Sequence, residues 1–196
     1  MPGRAGLIFD VVGTVVDGDG TLRAEAGERA GELTARLDAL LAGLDGWRSM
    51  EALRREAYGD ERLATIGHRF TPFPDAPDAL RTLAARHLVV ALSNADLAEL
   101  AGTSARGGLA WHAVLSAELA GAFKPDPAVY AFALERLRLD PARAVMVAAH
   151  PWDLRAAARH GMRTAYVARP GAELPAPGDR FDFGVRDLAD LAQVFC

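Results

Sequence analysis

The sequence predicts an α/β fold: a doubly wound, largely parallel sheet with a small helical insertion after its first strand. Three observations carry this prediction. Short apolar runs recur along the chain without the alternation of a half-exposed strand, as strands covered on both faces require. Amphipathic helical patterns separate these runs. Residues 18–75 break the rhythm with a stretch rich in Ala, Leu, Glu and Arg that holds no convincing strand.

The elements follow in order. GLIFDVV (6–12) reads as a buried first strand, then HLVVALSN (87–94), AVLSA (113–117), AVMVAAH (144–150) and RTAYVA (163–168), with DFGV (182–185) as a short sixth. Helical patterns occupy 77–86, 97–105, 127–137 and 151–161. Pro127 and Pro151 stand where a first helical turn tolerates proline, and Gly161 stands where a helix ends. Within the insertion, 22–44, 47–58 and 60–70 read as helices, closed by the Pro-rich TPFPDAP (71–77). The expected organisation is a core of 1–17 and 76–196 with a helical cap over 18–75. RPGAELPAPGDRFD (169–182) reads as a surface loop. Trp47, Tyr58, Phe70 and Phe73 are expected to pack within or beside the cap, and Trp111 and His112 beside a strand.

With 196 residues, 51% of them hydrophobic, the chain can bury one ordinary core. A net charge of -4 without a basic patch argues against a nucleic-acid partner. The single cysteine, Cys196, excludes a disulfide or a thiolate zinc site within the chain. The start MPGRAGLIFD has no apolar leader segment, and no run approaches the roughly 20 residues of a spanning helix. The expectation is a soluble, cytoplasmic protein without membrane contact.

In a doubly wound sheet, ligands bind beyond the carboxyl ends of the strands. The first strand places Asp10 there, followed by Gly13 and Thr14; the second places Ser93 and Asn94. The fourth places His150, with Trp152 and Asp153 in the turn after it, and Lys124 in FKPDP precedes the 127–137 helix. Carboxylates form ester intermediates, so Asp10 is a candidate nucleophile. Gly13 permits a tight turn whose N–H groups face an anion. Lys124 would keep Asp10 ionised and pair with Asp153. Taken singly, Asp10 also reads as a turn cap, Lys124 as a solvated charge and Ser93–Asn94 as a cap pair; their joint placement favours the functional reading.

FDVVGT with Asp10, LSN with Ser93, FKPDP with Lys124 and VAAHPWDLRAAARHG with Asp153 together resemble the four signature motifs of the haloacid dehalogenase-like hydrolases, in order and along nearly the whole chain outside 18–75. The resemblance implies a Rossmann-like core with an inserted cap. The phosphatases of that superfamily carry a second Asp two residues after the first, as the acid for the leaving alcohol; here Val12 stands there and cannot donate a proton. Their fourth motif places a metal-ligating Asp where this chain has Ala149. Halide needs no protonation on leaving, so neither absence harms a dehalogenase.

AHPWDLRAA resembles the type II, L-2-haloacid dehalogenase branch. That implies attack of Asp10 on C2 of a 2-haloalkanoate, then hydrolysis of the ester by water to an inverted 2-hydroxy acid, with no metal and no cofactor. By the same resemblance, Thr14, Ser93 and Lys124 position Asp10, Asn94 and Trp152 line the halide side beside Val12, and Tyr130 and Asp153 form a supporting network with Asp153 near the hydrolytic water. His150 and Ala148 depart from the branch, which carries Asn and Ser there. His150 either replaces the amide or acts as base toward water with Asp153 as its orienter. The substrate carboxylate calls for a cap arginine: Arg36 first, Arg48 second. The insertion is short for the branch and predicts an open crevice. A homodimer is compatible with the resemblance. The alternatives are a Mg²⁺-dependent phosphatase-like hydrolase working through Asp10 and Asp153, and a catalytically silent member that binds a small anion or a protein.

Overall fold

The structure, a computed structural model, describes residues 5–196; residues 1–4, at the head of the expected first core segment, lie outside the described residues. Its centre is a six-stranded sheet. The strands are β1 (Gly6–Phe9), β4 (Leu88–Ser93), β5 (Ala113–Ser116), β6 (Ala144–Ala148), β7 (Arg163–Val167) and β8 (Phe183–Val185). The spatial order is β5-β4-β1-β6-β7-β8, and every pairing is parallel. Strand β1 is central. Phe9 sits opposite Ala91 on one neighbour and Val147 on the other, so the order reverses around β1 and opens a crevice at its carboxyl end.

The period of two in β1 splits the core between the faces. Leu7 and Phe9 join Leu80, Leu83, Val89, Val145 and Leu188 on one side. Ile8 joins Leu92, Met146, Val129, Tyr130 and Leu154 on the other. The first face is covered by α5 (Ala76–Ala84), α6 (Leu97–Gly107) and α9 (Leu188–Phe195), the second by α7 (Pro127–Leu137) and α8 (Pro151–Arg159). Trp111 packs against Phe9 with ring centroids 5.7 Å apart, and His112 Nδ1 accepts from Val89 N, so both serve the sheet as expected.

The insertion forms α1 (Gly18–Ala26), α2 (Ala30–Ala42), α3 (Met50–Tyr58) and the single turn α4 (Glu61–Ala64). They close on their own small apolar cluster, built from Leu22, Leu33, Ala57, Leu63 and Ile66. The expectation of no strand in this segment needs correction. A two-residue antiparallel ribbon joins β2 (Val16–Asp17) to β3 (Thr71–Pro72) at its neck. So short a ribbon leaves no period to read, and Pro72 can stand only where no ladder N–H is needed. Strand β1 also stops at Phe9, not at residue 12. Beyond it Val15 N and Val16 N both donate to Val11 O, a turn that Gly13 completes at φ +83°. Helix α9 lies past the last predicted element. Its start is marked by Asp187, whose side chain accepts from Asp190 N at 2.7 Å. Among the described residues, no helix is long and apolar enough to cross a membrane.

Candidate active site

The crevice beyond β1 gathers most of the predicted residues. Asp10 follows β1 directly and is 4% exposed; Lys124 is equally buried, and Asp153 is fully buried in the first turn of α8. Lys124 Nζ donates to Asp10 Oδ1 at 2.8 Å and to Asp153 Oδ2 at 2.5 Å. The Thr14 hydroxyl donates to Asp10 Oδ2 at 2.6 Å and accepts from Ala149 N at 2.9 Å. Tyr130, buried on α7, donates to Asp153 Oδ1 at 2.6 Å. Both oxygens of Asp10 are thus oriented, and both oxygens of Asp153 are engaged.

Asn94 fixes the lysine through its backbone: Lys124 N donates to Asn94 Oδ1 at 2.7 Å, and Asn94 Nδ2 donates to Lys124 O at 3.1 Å. Ser93 Oγ accepts from Ala95 N, which shapes the turn leaving β4. The Val11 and Val12 N–H groups donate to no backbone carbonyl among the described residues.

Burial by itself would raise the Asp10 carboxyl. Lys124, His150 and the Thr14 hydroxyl outweigh it and hold Asp10 below its ordinary value. Asp153 goes the other way: burial, reinforced by the charge of Asp10, outweighs Lys124 and raises it. Burial would lower the Lys124 ammonium, but two carboxylates hold it above its ordinary value. One lysine between two carboxyls thus serves an unequal pair, Asp10 held low and Asp153 raised.

A cavity of about 230 Å³ opens over Asp10. The core contributes Asp10, Val12, Ser93, Asn94, Lys124, His150 and Trp152 to its wall; the insertion contributes Leu22, Leu37, Asp38, Arg54, Tyr58 and Phe70, among others. The insertion is short yet covers the crevice, against the expectation of an open one, because α1, α2 and α3 all turn a face to it. Tyr58 and Phe70 both pack the cluster of the insertion and line the cavity. Burial raises the Tyr58 hydroxyl, which stays a donor there.

Two expected arginine contacts are corrected. Arg36 does not reach the cavity: α2 turns Leu33 inward and leaves Arg36 exposed, paired with Glu32 one turn back. Arg48 pairs with Glu56 at the surface. Tyr130 stands outside the cavity wall and supports Asp153, as the expected network requires. The guanidinium that lines the cavity belongs to Arg54, which sequence reasoning missed. Its signal is the buried stripe Met50, Leu53, Arg54, Ala57, Tyr58 along α3, a helical spacing with an arginine among the apolar positions. Glu99 of α6 holds Arg54 through two hydrogen bonds, both groups buried.

His150 lies 3.5 Å through Nε2 from Asp10 Oδ2, and its ring stacks on Trp152 at 5.5 Å. Nε2 also lies 3.0 Å from the Val12 carbonyl, which can only accept, so this nitrogen carries the proton of that bond. Asp153 does not orient His150 as expected, since its oxygens face Lys124 and Tyr130. A Cβ on residue 13 would collide with the imidazole, a second reason for Gly13.

Comparison with known proteins identifies the family and the fold. A haloacid dehalogenase-like hydrolase family model matches residues 5–161. The (S)-2-haloacid dehalogenase H-109 of Pseudomonas putida is 28% identical over 214 residues, covering 95% of this chain and 96% of that protein. The (S)-2-haloacid dehalogenase 4A of Burkholderia cepacia is 31% identical over 114 residues, 57% of this chain and 49% of its relative, so in that match the chain spans about half the relative's length. The crystal structure of an L-2-haloacid dehalogenase superposes with a TM-score of 0.88 at 29% identity, covering 99% of this chain and 100% of the other. With the motif residues assembled around Asp10 and the family model spanning most of its length, the chain belongs to the haloacid dehalogenase-like hydrolases.

Proposed function

We propose that the protein hydrolyses 2-haloalkanoic acids to 2-hydroxy acids and halide through an ester on Asp10, without a metal. One observation carries the reading: a buried, ionised Asp10, held by Lys124 and Thr14, faces a mostly apolar cavity in which Val12 occupies the place of a leaving-group acid. The named relatives act on (S)-2-haloacids, and the geometry suits the same reaction here. An Asp10 oxygen forms a bond to C2 as the carbon–halogen bond breaks, and the halide leaves with its electron pair and no proton. Water then adds to the Asp10 acyl carbon. The ester oxygen leaves with C2 as the new hydroxyl, and the net reaction releases one proton. His150 lines the cavity beside Asp10; with Nε2 protonated toward the Val12 carbonyl, its Nδ1 is the acceptor we assign to that proton, and Asp153 stays behind Lys124 and holds it in place.

Of the groups that line the cavity, the Val12 N–H and the Arg54 edge can meet the substrate carboxylate. The donor set does not suit Mg²⁺. Val12 and Ala149 bring no oxygen side chain, and both oxygens of Asp153 are committed to Lys124 and Tyr130.

The test is halide release from L-2-chloropropionate in the presence of EDTA. Asp10→Asn is expected to lower it by on the order of 10⁴-fold or more. Absence of halide release with Mg²⁺-dependent hydrolysis of a phosphate ester would replace this reading with a phosphatase; turnover of neither by a folded protein would leave a binding protein.

A further inference from the structure

We propose that Arg169 is a positioning residue for the nucleophile: it clamps the Asp10 turn to the neck of the insertion and so couples the seating of the insertion to the aim of Asp10. The inference rests on the reading of Asp10 as nucleophile. Arg169 belongs to a segment whose sequence reads as surface loop, yet its side chain is only 5% exposed.

The guanidinium is used on three sides. Nε donates to the Thr14 carbonyl at 2.9 Å. Nη1 pairs with Asp75 Oδ1 at 2.9 Å. The flat face lies over the Phe73 ring, 4.1 Å from its centroid. Asp75 and Phe73 belong to the segment that returns from β3 to α5. Asp75 Oδ2 also accepts from Leu188 N at the start of α9, and Phe73 N donates to Val15 O at 3.0 Å. Arg169 therefore ties the Asp10 turn to the return of the insertion, and Asp75 carries the tie on to the last helix.

Arg169 does not line the cavity, so it acts through Thr14. The carbonyl it grips and the hydroxyl that orients Asp10 belong to the same residue, and that hydroxyl is also fixed by Ala149 N. A bridge serving stability alone needs only the Asp75 ion pair and the Phe73 stack. The bond to Thr14 O adds a constraint on the reacting carboxylate, where displacements of about 1 Å cost on the order of 100-fold in rate.

The test compares Arg169→Met with Arg169→Lys. Methionine keeps an apolar contact with Phe73 and loses every donor. Lysine restores the Asp75 ion pair but loses the rigid fork that aims Nε at the Thr14 carbonyl while Nη1 meets Asp75. For Arg169→Met, Tm is expected to drop, kcat for halide release to fall about 10- to 100-fold with KM within about threefold, and the acid limb of kcat/KM to move up as the Thr14 bond to Asp10 loosens. For Arg169→Lys, Tm recovers while kcat and the acid limb stay displaced. Recovery of kcat together with Tm in Arg169→Lys, or wild-type kcat and acid limb in either folded variant, overturns the proposal. If Arg169→Met fails to fold, Arg169→Lys decides alone. If the wild-type protein releases no halide, the nucleophile reading fails separately. A ¹³C titration of the Asp10 carboxyl in the wild type and Arg169→Lys still decides the clamp: a raised value supports it, an unmoved one overturns it.

Discussion

Lys124 shows how one residue creates a difference between two others. It donates to Asp10 and Asp153 alike, yet Asp10 is held low and Asp153 is raised, because Asp10 also has His150 and Thr14 while Asp153 is buried deeper beside a second carboxylate. In the proposed reaction Asp10 must be ionised to attack carbon. The sign follows: a depressed carboxyl keeps its charge as pH falls through the ordinary carboxylate value and loses it only below. The acid limb of kcat/KM is therefore expected below pH 3.8, the ordinary value for Asp, and an acid limb at or above it would contradict the arrangement. Lys124→Met leaves two buried carboxyls without their cation. It is expected to raise the Asp10 limb and to cost about 3–5 kcal/mol in chemical denaturation. His150→Ala separates the two half-reactions. If His150 takes the proton of the attacking water, the Asp10 ester accumulates and is seen by mass spectrometry in the variant; absence of accumulation removes that role.

At the scale of the element, α3 is the informative case. Its sequence reads as an ordinary amphipathic helix, and its length and position were legible from the spacing of Met50, Leu53, Ala57 and Tyr58. Two features were not. Arg54 shares that buried stripe because Glu99, on a helix 45 residues away in sequence, neutralises it. Asp96 caps α3 from outside, accepting from Met50 N at 2.7 Å and Glu51 N at 3.0 Å. Arg54→Met should cost about 3–5 kcal/mol by stranding Glu99, and the pair Arg54→Met with Glu99→Leu should recover most of it, measured as a double-mutant cycle. Asp96→Ala should cost about 1 kcal/mol, the ordinary worth of a cap. The choice of Arg36 failed for the same reason that Arg54 was missed: a chain rich in arginines does not show which one has a buried carboxylate waiting for it.

Over the whole molecule, the insertion and the sheet are joined at several points that the chain order does not reveal. These are the β2–β3 ribbon, the Arg54–Glu99 pair, the Asp96 cap and the Arg169 clamp. The insertion has only a small apolar cluster of its own. It is expected to unfold with the rest in one transition. Fluorescence, which reads Trp47 in the insertion and Trp111 and Trp152 in the sheet region, should coincide with far-UV circular dichroism through urea unfolding; two separated transitions would show an independently stable insertion.

The sequence by itself determined the strand order along the chain, the apolar faces of the helices, and the placing of Asp10, Lys124 and Asp153 at one crevice. Each of these is written in local pattern: runs of apolar residues, helical spacing, and polar groups at the ends of strands. The absence that Val12 represents was legible for the same reason. The tertiary structure decided which arginine entered the cavity, which carboxyl kept its proton more tightly, and which loop residue reached the nucleophile turn. Those depend on pairs such as Arg54 with Glu99 and Arg169 with Thr14, whose partners are distant in sequence and whose energies exist only once burial removes water from both.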